Sequence, residues 1–477
     1  MIDELALALG TAALIALSLF SAGHALIMKR DPRSSLGWIV TCLTIPLLGP
    51  FFYWGMGVNR IFRRARTWLE SGRRLADPEF FKSTLEQNTA TALPPGAEYL
   101  SELRRLADRV VSTPLVTGNR FTPLVNGEGA YPAMLEAIAG ARRSIHLSTY
   151  IFDSDAAGRR FIDALADAAR RGVDVRVIID GLGEKYSFPR ARTLMERTGI
   201  RVARFLPLRQ GFYMNLRNHR KMLIIDGERA FTGGMNIGDR HMVERPLPTV
   251  VKDLHFAVAG PVVGELQQIF LEDWYFVSGE LLDNRHHFPP LPAAGHAISR
   301  AIGDGPDKEF RKLFLILMGA LSCATRQVQI MTPYFIPDRA LVAALVTTAL
   351  RGVEVTLVLP EKNNLPFVHW ASRAYLWELL QQGIRVFYQP PPFVHTKLFI
   401  VDGLWSLIGS ANLDPRSLRL NFELNLEVYD REFAGTLTKH VAGVLARSRE
   451  VTLEQMDNRP LPEKLRDGVA KLFSPYL

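Results

Sequence analysis

Cysteine is nearly missing from this 477-residue chain: only Cys42 and Cys323 occur, one in an apolar segment and one in an expected helix. With no paired framework there is neither a disulfide scaffold nor a cysteine-based zinc site. His286, His287 and His296 lie in a proline-rich stretch with no cysteine or carboxylate at ligand spacing. They read as surface residues, and no metal is expected there. Acidic residues are also in deficit: 48 Asp and Glu face 57 Lys and Arg, leaving a formal charge of +9. That balance favours an anionic partner, either lipid headgroups or nucleic acid. The N-terminus lacks the basic leader of a cleavable signal peptide, since Asp3 and Glu4 come first and the apolar run behind them is too long.

What the N-terminus does hold is two apolar stretches. Leu5 to Met28 is nearly unbroken and long enough to cross a bilayer. Leu36 to Val58 is interrupted by Pro46, Gly49 and Pro50, which leaves two readings. It is a kinked second span, or a re-entrant segment that enters and leaves on one face. Lys29, Arg30 and Arg33 lie between the stretches, and Arg60, Arg63, Arg64, Arg66, Arg73 and Arg74 follow. The more basic flank stays cytoplasmic. Two spans put the N-terminus inside, and a re-entrant segment puts it outside. Both readings leave the rest of the chain facing the cytoplasm, where the basic stretch also attracts anionic lipid.

Farther along, one motif occurs twice. His219-Arg-Lys221-Met-Leu-Ile-Ile-Asp226 and His395-Thr-Lys397-Leu-Phe-Ile-Val-Asp402 both read H-x-K-x-x-x-x-D. Gly233, Gly234 and Asn236 follow the first copy; Gly409, Ser410 and Asn412 follow the second at the same distance. Two extended copies indicate an internal duplication. Each motif reads as a strand running into an Asp-Gly turn, hence a β-hairpin. Alternation puts His219 with Lys221, and His395 with Lys397, on one face. Asp226 and Asp402, at an odd offset, point the other way and anchor the turn. The glycine turns bring backbone close to a bound group. Two imidazoles, two ammonium groups and two amides suit a tetrahedral anion, most naturally a phosphoryl group.

Each histidine needs a partner to select its tautomer. Asn421-Phe-Glu423-Leu-Asn425-Leu-Glu427-Val alternates like a strand, which makes Glu423 the expected carboxylate for His395. Lys252-Asp253-Leu-His255-Phe-Ala-Val alternates likewise, which makes Asp253 the expected partner of His219. Around the motifs, residues 144–152, 157–171 and 172–179 read strand, helix, strand, and 328–336, 338–351 and 352–359 repeat the pattern. Gly172 and Gly352 each follow an arginine at the helix end. Tyr150 and Tyr334 fall at equivalent strand ends, either approaching the substrate or packing in the core.

At these residues the chain resembles the phospholipase D superfamily and, within it, the bacterial cardiolipin synthases. The doubled H-x-K-x4-D-x6-G-[GS]-x-N element matches at every position in both halves. The narrower likeness rests on Asn218 to Gly227, on Gly409-Ser-Ala-Asn-Leu-Asp-Pro-Arg-Ser417, on Asn421-Phe-Glu-Leu-Asn425, and on the Ser474-Pro-Tyr-Leu477 ending. The resemblance implies an α/β fold: two similar mixed-sheet halves sharing one active site, preceded by N-terminal transmembrane helices, with the kinked second span as the usual arrangement. The expected domains are a membrane anchor over 1–60, a basic juxtamembrane linker over 61–110, a first half over 111–280, a linker over 281–305, and a second half over 306–477 with a C-terminal helix. On that helix Leu465, Val469, Leu472 and Phe473 share a face, expected to dock on the catalytic body rather than lie on a membrane.

The resemblance also implies a mechanism in which His219, Lys221, Asp226, His395, Lys397 and Asp402 form the catalytic motif set. His219 attacks a phosphodiester to give a phosphohistidine, and His395 serves as acid and then base. Lys221, Lys397, Asn236 and Asn412 stabilise charge on phosphorus, so no metal or other cofactor is required. With phosphatidylglycerol as donor and acceptor, the product is cardiolipin and the released alcohol is glycerol; phosphatidylethanolamine is the alternative second lipid. Anionic phospholipids and the membrane are the expected partners, and nucleic acid is not. Competing readings are a hydrolytic phospholipase D, a membrane-anchored nuclease, and a non-enzymatic scaffold. A degenerate scaffold would have lost a motif residue, and neither copy has.

Overall fold

A computed structural model describes residues 2–29, 32–58, 88–206, 216–247, 249–282, 284–305 and 312–474. Arg30, the arginines between 60 and 74, and the last three residues of the C-terminal motif lie outside the described residues. The chain divides into an N-terminal helical unit and a large α/β unit.

In the N-terminal unit, the helix Ile2–Met28 is long and apolar enough to cross a membrane over Glu4–Met28. The second apolar stretch breaks into a helix, Pro32–Thr44, a short helix, Leu48–Phe52, and a π-helical turn, Tyr53–Gly57. Its polar contacts trace its path. Ser35 donates to the Ala25 carbonyl (3.2 Å), Ser18 donates to the Pro46 carbonyl (3.1 Å), Trp54 donates to Ser21 (2.9 Å), and Tyr53 lies 2.6 Å from His24. The segment thus runs back along the first helix to the level of Ser18, turns at Pro46, and returns toward His24. At about 1.5 Å per residue, Ser18 to Lys29 covers roughly 16 Å, about half of a bilayer core of ~30 Å. The segment folds as a hairpin on the first helix, with both of its ends near Lys29.

The α/β unit is built on one 15-stranded sheet. Its first-half strands are β1 (Val116–Val125), β2 (Ser144–Thr149), β3 (Asp174–Asp180), β4 (Arg201–Phe205), β5 (Met222–Ile225), β6 (Arg229–Gly233), β7 (Val251–Lys252) and β8 (Leu254–Ala259). The second half supplies β9 (Ala297–Asp304), β10 (Gln327–Met331), β11 (Glu354–Pro360), β12 (Arg385–Gln389), β13 (Phe393–Val394), β14 (Leu398–Val401), β15 (Trp405–Gly409), β16 (Glu423–Tyr429) and β17 (Arg449–Val451). From the centre outward the first half reads β1-β8-β6-β5-β2-β3-β4, and the second reads β9-β16-β15-β14-β10-β11-β12-β17. Apart from the extra β17, the order is the same. β1 and β9 pair antiparallel where the halves meet. β7 and β13 form a separate two-stranded sheet.

Two expected linkers contain structure. Ala297–Asp304, placed in the linker 281–305, is the central strand β9, paired with both β1 and β16. It is covered on both faces, so the polar–apolar alternation that marks a half-exposed strand is missing. Ser101–Val110, placed in the juxtamembrane linker, is a helix whose Leu103 and Ala107 join the core of the second half.

The strand–helix–strand repeats are present. The helices Ala156–Arg170 and Arg339–Leu350 are each capped by an aspartate, Asp155 and Asp338, accepting from an amide in the first turn. Gly172 (φ 89°) and Gly352 (φ 85°) end them in the left-handed region. Each half has its own apolar layer on one face of the sheet. The opposite face is shared, with the helices Val262–Ser278 and Arg431–Leu445 covering residues from both halves.

Two surface expectations are corrected. His287 is buried, its ring 5.0 Å from that of His146, because the turn Asn284–His287 folds against β2. Asp174 lies beside them but pairs with Arg176 at 2.9 Å, and His146 meets Gln267. The C-terminal helix Leu461–Leu472 docks through the face opposite to the expected one. Leu465, Val469 and Leu472 are 60%, 52% and 76% exposed, while Asp467 and Ala470 are buried against the helix Pro366–Gln381. Asp467 sets the rotation by pairing with Arg373 of that helix (3.4 Å), while Arg459 (2.7 Å) and Arg466 (2.8 Å) supply the further partners a buried charge needs.

Candidate active site

Both motifs form the hairpins their sequences imply, β5–β6 and β14–β15. Asp226 (φ 56°) and Gly227 (φ 70°), like Asp402 (φ 55°) and Gly403 (φ 64°), are left-handed at both turn positions, as a type I′ turn requires. The aspartate carboxylates then reach sideways. Asp226 accepts from the amides of Arg142, Arg143 and Ser144; Asp402 accepts from those of Thr325, Arg326 and Gln327 and from the Tyr99 hydroxyl. Seven residues of extended chain place them about 23 Å from the motif histidines.

The histidines themselves meet across the two halves, with ring centroids 6.4 Å apart. Their carboxylate partners are the reverse of those expected. His219 Nδ1 lies 3.1 Å from Glu423 Oε2, and His395 Nδ1 lies 2.9 Å from Asp253 Oδ2. Each half orients the other half's imidazole. The physical cause is backbone exchange at the interface. The His219 amide donates to the Phe422 carbonyl (2.9 Å) and the Phe422 amide donates to that of Arg217 (2.8 Å). On the other side the His395 amide donates to the Lys252 carbonyl (2.7 Å), and β13 runs parallel to β7.

The remaining groups close around this pair. Lys221 and Lys397 are buried, and each ammonium donates to the carbonyl of its own histidine at 2.6 Å. Asn236 accepts from the Ile151 amide at 3.1 Å, which turns its NH2 away as a donor. Asn412 is buried, with its NH2 3.3 Å from the Ser417 hydroxyl. Tyr150 and Tyr334 flank His219 and His395 at ring separations of 5.5 and 6.1 Å.

The glycine turns differ for a reason. A Cβ on Gly234 would stand 2.6 Å from Asp253 Oδ2, so glycine makes room for that carboxylate. At the equivalent place Ser410 uses its hydroxyl to donate to Glu423. Sequence reasoning missed two further supports of Glu423. Asn421 Nδ2 donates to its carboxylate (3.2 Å), and Arg220 Nε donates to its carbonyl (3.1 Å) while pairing with buried Asp273 (2.6 Å). An arginine between motif histidine and lysine, just before an apolar strand, was the available signal.

Burial governs the electrostatics. It pulls Lys221 down to about 7 and Lys397 to about 8, against the attraction of Glu423 and Asp253 respectively. Burial also lowers His219, with Glu423 opposing, and it lowers His395 much further, with Lys397 and Lys221 adding to the effect. Burial raises Asp253. It would raise Glu423 too, but His219, Lys221 and Ser410 outweigh it and hold that carboxylate below its ordinary value. With both Nδ1 atoms facing carboxylates, both Nε2 atoms are left for chemistry. The arrangement offers two neutral imidazoles and a reserve of positive charge to one tetrahedral anion.

The sequence comparisons agree with the two-half fold. The family model described as "Cardiolipin synthase, PLD-like domain" matches residues 134–274 and 317–445, so it matches once in each half. A second, "Phospholipase_D-nuclease N-terminal", matches residues 16–54. A cardiolipin synthase A of Pseudomonas fluorescens is 33% identical over 97% of this chain and 96% of its own length. A cardiolipin synthase of a Geobacillus species is 32% identical over 94% of this chain and 90% of its own. Among solved structures, the phosphatidylserine synthase of Haemophilus influenzae superposes with a TM-score of 0.61 at 14% identity, covering 79% of this chain and 100% of that one, a likeness of fold. A doubled family match on a doubled site, together with full-length relatives, places this chain in the cardiolipin synthase family of phospholipase D-like proteins.

Proposed function

We propose that this protein is a membrane-bound phosphatidyltransferase that joins two phosphatidylglycerol molecules into cardiolipin and releases glycerol. The observation that carries this reading is the crossed pair of histidine–carboxylate dyads, set over two buried lysines in a chain of the cardiolipin synthase family. His219 Nε2 attacks phosphorus, the bond from phosphorus to the glycerol headgroup oxygen breaks, and His395 delivers a proton to that oxygen. His395 then takes the proton of the acceptor's hydroxyl, whose oxygen attacks phosphorus and breaks the phosphorus–nitrogen bond. Lys221, Lys397, Asn236 and Asn412 hold the charge that develops on the phosphoryl oxygens. The arriving anionic phosphodiester favours the protonated form of one imidazole, which supplies the acid.

The exchanged assignment is the alternative, because the two imidazoles are equivalently placed, each with a carboxylate at Nδ1. Trapping the phosphoenzyme separates the two: label retained in His395→Ala and lost in His219→Ala supports attack by His219, and the converse supports exchange.

Phosphatidylglycerol and other anionic phospholipids are the proposed partners, with no nucleic acid. The proposed site is the inner face of the cell membrane, with the catalytic unit in the cytoplasm. The hairpin returns beside Lys29, and the next sequence is rich in arginine, so the basic flanks fall on one side. This favours a single span plus a re-entrant hairpin over a multi-pass anchor.

Purified protein supplied with phosphatidylglycerol should yield cardiolipin and glycerol in equal amounts. Phosphatidic acid as the sole product would replace synthesis with hydrolysis, and DNA cleavage without lipid turnover would favour a nuclease.

A further inference from the structure

The C-terminal helix Leu461–Leu472 presents an apolar stripe that nothing among the described residues covers. Leu461, Leu465, Val469 and Leu472 recur on one face, and each is more than half exposed. Phe473, next in the chain, is 50% exposed. The opposite face is occupied, since Asp467 and Ala470 pack against the helix Pro366–Gln381 and Arg373 pairs with Glu463 at 2.7 Å. At 100° per residue, Lys464 and Lys471 flank the stripe on one side, while Arg466, on the other, is paired with Asp467 and lies over the Trp370 ring. An apolar face edged by two lysines matches the boundary between acyl chains and anionic headgroups.

A chain of contacts links the end of this helix to the catalytic centre. The Phe473 ring lies 5.6 Å from that of Phe367, in the first turn of the helix Pro366–Gln381. Just before that turn, Asn364 accepts from the Tyr334 hydroxyl at 2.8 Å. Tyr334 in turn flanks His395 at 6.1 Å. The helix that bears the stripe is thus tied, through Phe367, Asn364 and Tyr334, to the neighbourhood of His395.

We propose that the C-terminal helix lies in the headgroup region of an anionic phospholipid leaflet, through Leu461, Leu465, Val469 and Leu472, and holds the rim of the active site against the lipid surface. It is a second membrane contact, separate from the N-terminal unit, and it rests on the proposed lipid activity only for its purpose.

Two measurements on the full-length protein test it. In a Cys42→Ala, Cys323→Ala background, Val469→Cys carries an environment-sensitive fluorophore in phosphatidylglycerol vesicles. Quenching by bromines on the acyl chains, and protection from aqueous iodide, are expected. A label open to iodide and untouched by brominated lipid overturns the proposal, as does a label shielded equally in detergent, which would mean a second copy covers the stripe. The same reading in His219→Ala separates docking from catalysis. The second measurement uses Leu465→Asp with Leu472→Asp. Turnover of bilayer phosphatidylglycerol should fall on the order of tenfold, from the lost burial of two leucines, while turnover of detergent-dispersed short-chain phosphatidylglycerol is kept. Equal behaviour on the two substrates, whether both retained or both lost, overturns the proposal.

Discussion

Glu423 of the second half accepts from His219 of the first at 3.1 Å, and Asp253 of the first accepts from His395 of the second at 2.9 Å. Neither half therefore contains a working histidine–carboxylate dyad. The proposed chemistry needs both copies, because each holds the carboxylate that meets the other's histidine.

Substitution of either carboxylate should cost activity through the opposite histidine. Glu423→Gln or Asp253→Asn is expected to lower kcat by about 10²–10⁴-fold, the range of a lost acid–base contribution. In double-mutant cycles Glu423 should couple to His219 and Asp253 to His395. Coupling within each half instead would contradict the crossed arrangement.

Gly234→Ala places a methyl group 2.6 Å from Asp253 Oδ2. The carboxylate must move, so kcat should fall nearly as far as in Asp253→Asn, with little change in thermal stability. Ser410→Ala removes one donor from Glu423 and should be milder, about tenfold. Wild-type kinetics in Gly234→Ala would show that Asp253 does not need that space.

The lysines set a basic limb. An ammonium group is charged below its pKa, so the free site loses its cations as pH rises through the values of about 7 for Lys221 and about 8 for Lys397. The profile of kcat/KM should fall across that interval. The profile of kcat should fall at higher pH, since bound phosphodiester holds both ammonium groups charged. A kcat/KM that stays level to pH 9 would remove the lysines from substrate capture.

Asp402→Ala should act on stability rather than on chemistry. It leaves the amides of Thr325, Arg326 and Gln327 and the Tyr99 hydroxyl without their acceptor. The expected cost is about 2–3 kcal/mol, read as a lowered Tm, with phosphoenzyme formation per folded molecule retained. Loss of phosphoenzyme at an unchanged Tm would return the motif aspartate to the catalytic set.

The N-terminal hairpin makes a topological prediction. In a background free of native cysteines, Glu4→Cys should react with an impermeant maleimide from outside the cell, and Lys29→Cys should not. The reverse pattern would indicate two full crossings.

Much of the site was legible because it is local. Side-chain alternation put His219 with Lys221 and His395 with Lys397, and the Asp-Gly pairs announced their turns; both follow from a few adjacent dihedrals. Alternation points to Glu423 and Asp253 as orienting carboxylates but not to the histidine each one meets. Spacing along a chain carries no information about which copy of a repeat a side chain faces across an interface. β9 was hidden for a different reason: with both faces covered, Ala297–Asp304 has no polar alternation to read.

Sequence alone determined the duplicated motif, the strands that carry it, the long apolar N-terminal run and the family resemblance, since each is written in neighbouring residues. Tertiary structure alone decided three things. It crossed the histidine–carboxylate pairs, because β7 and β13 join the halves at that point. It turned the second apolar segment back at Pro46, through contacts with Ser18 and His24. It rotated the C-terminal helix outward, because Asp467 and Glu463 both pair with Arg373 of the helix Pro366–Gln381. In each case the outcome depended on groups distant in sequence that only folding brings within a hydrogen bond's length.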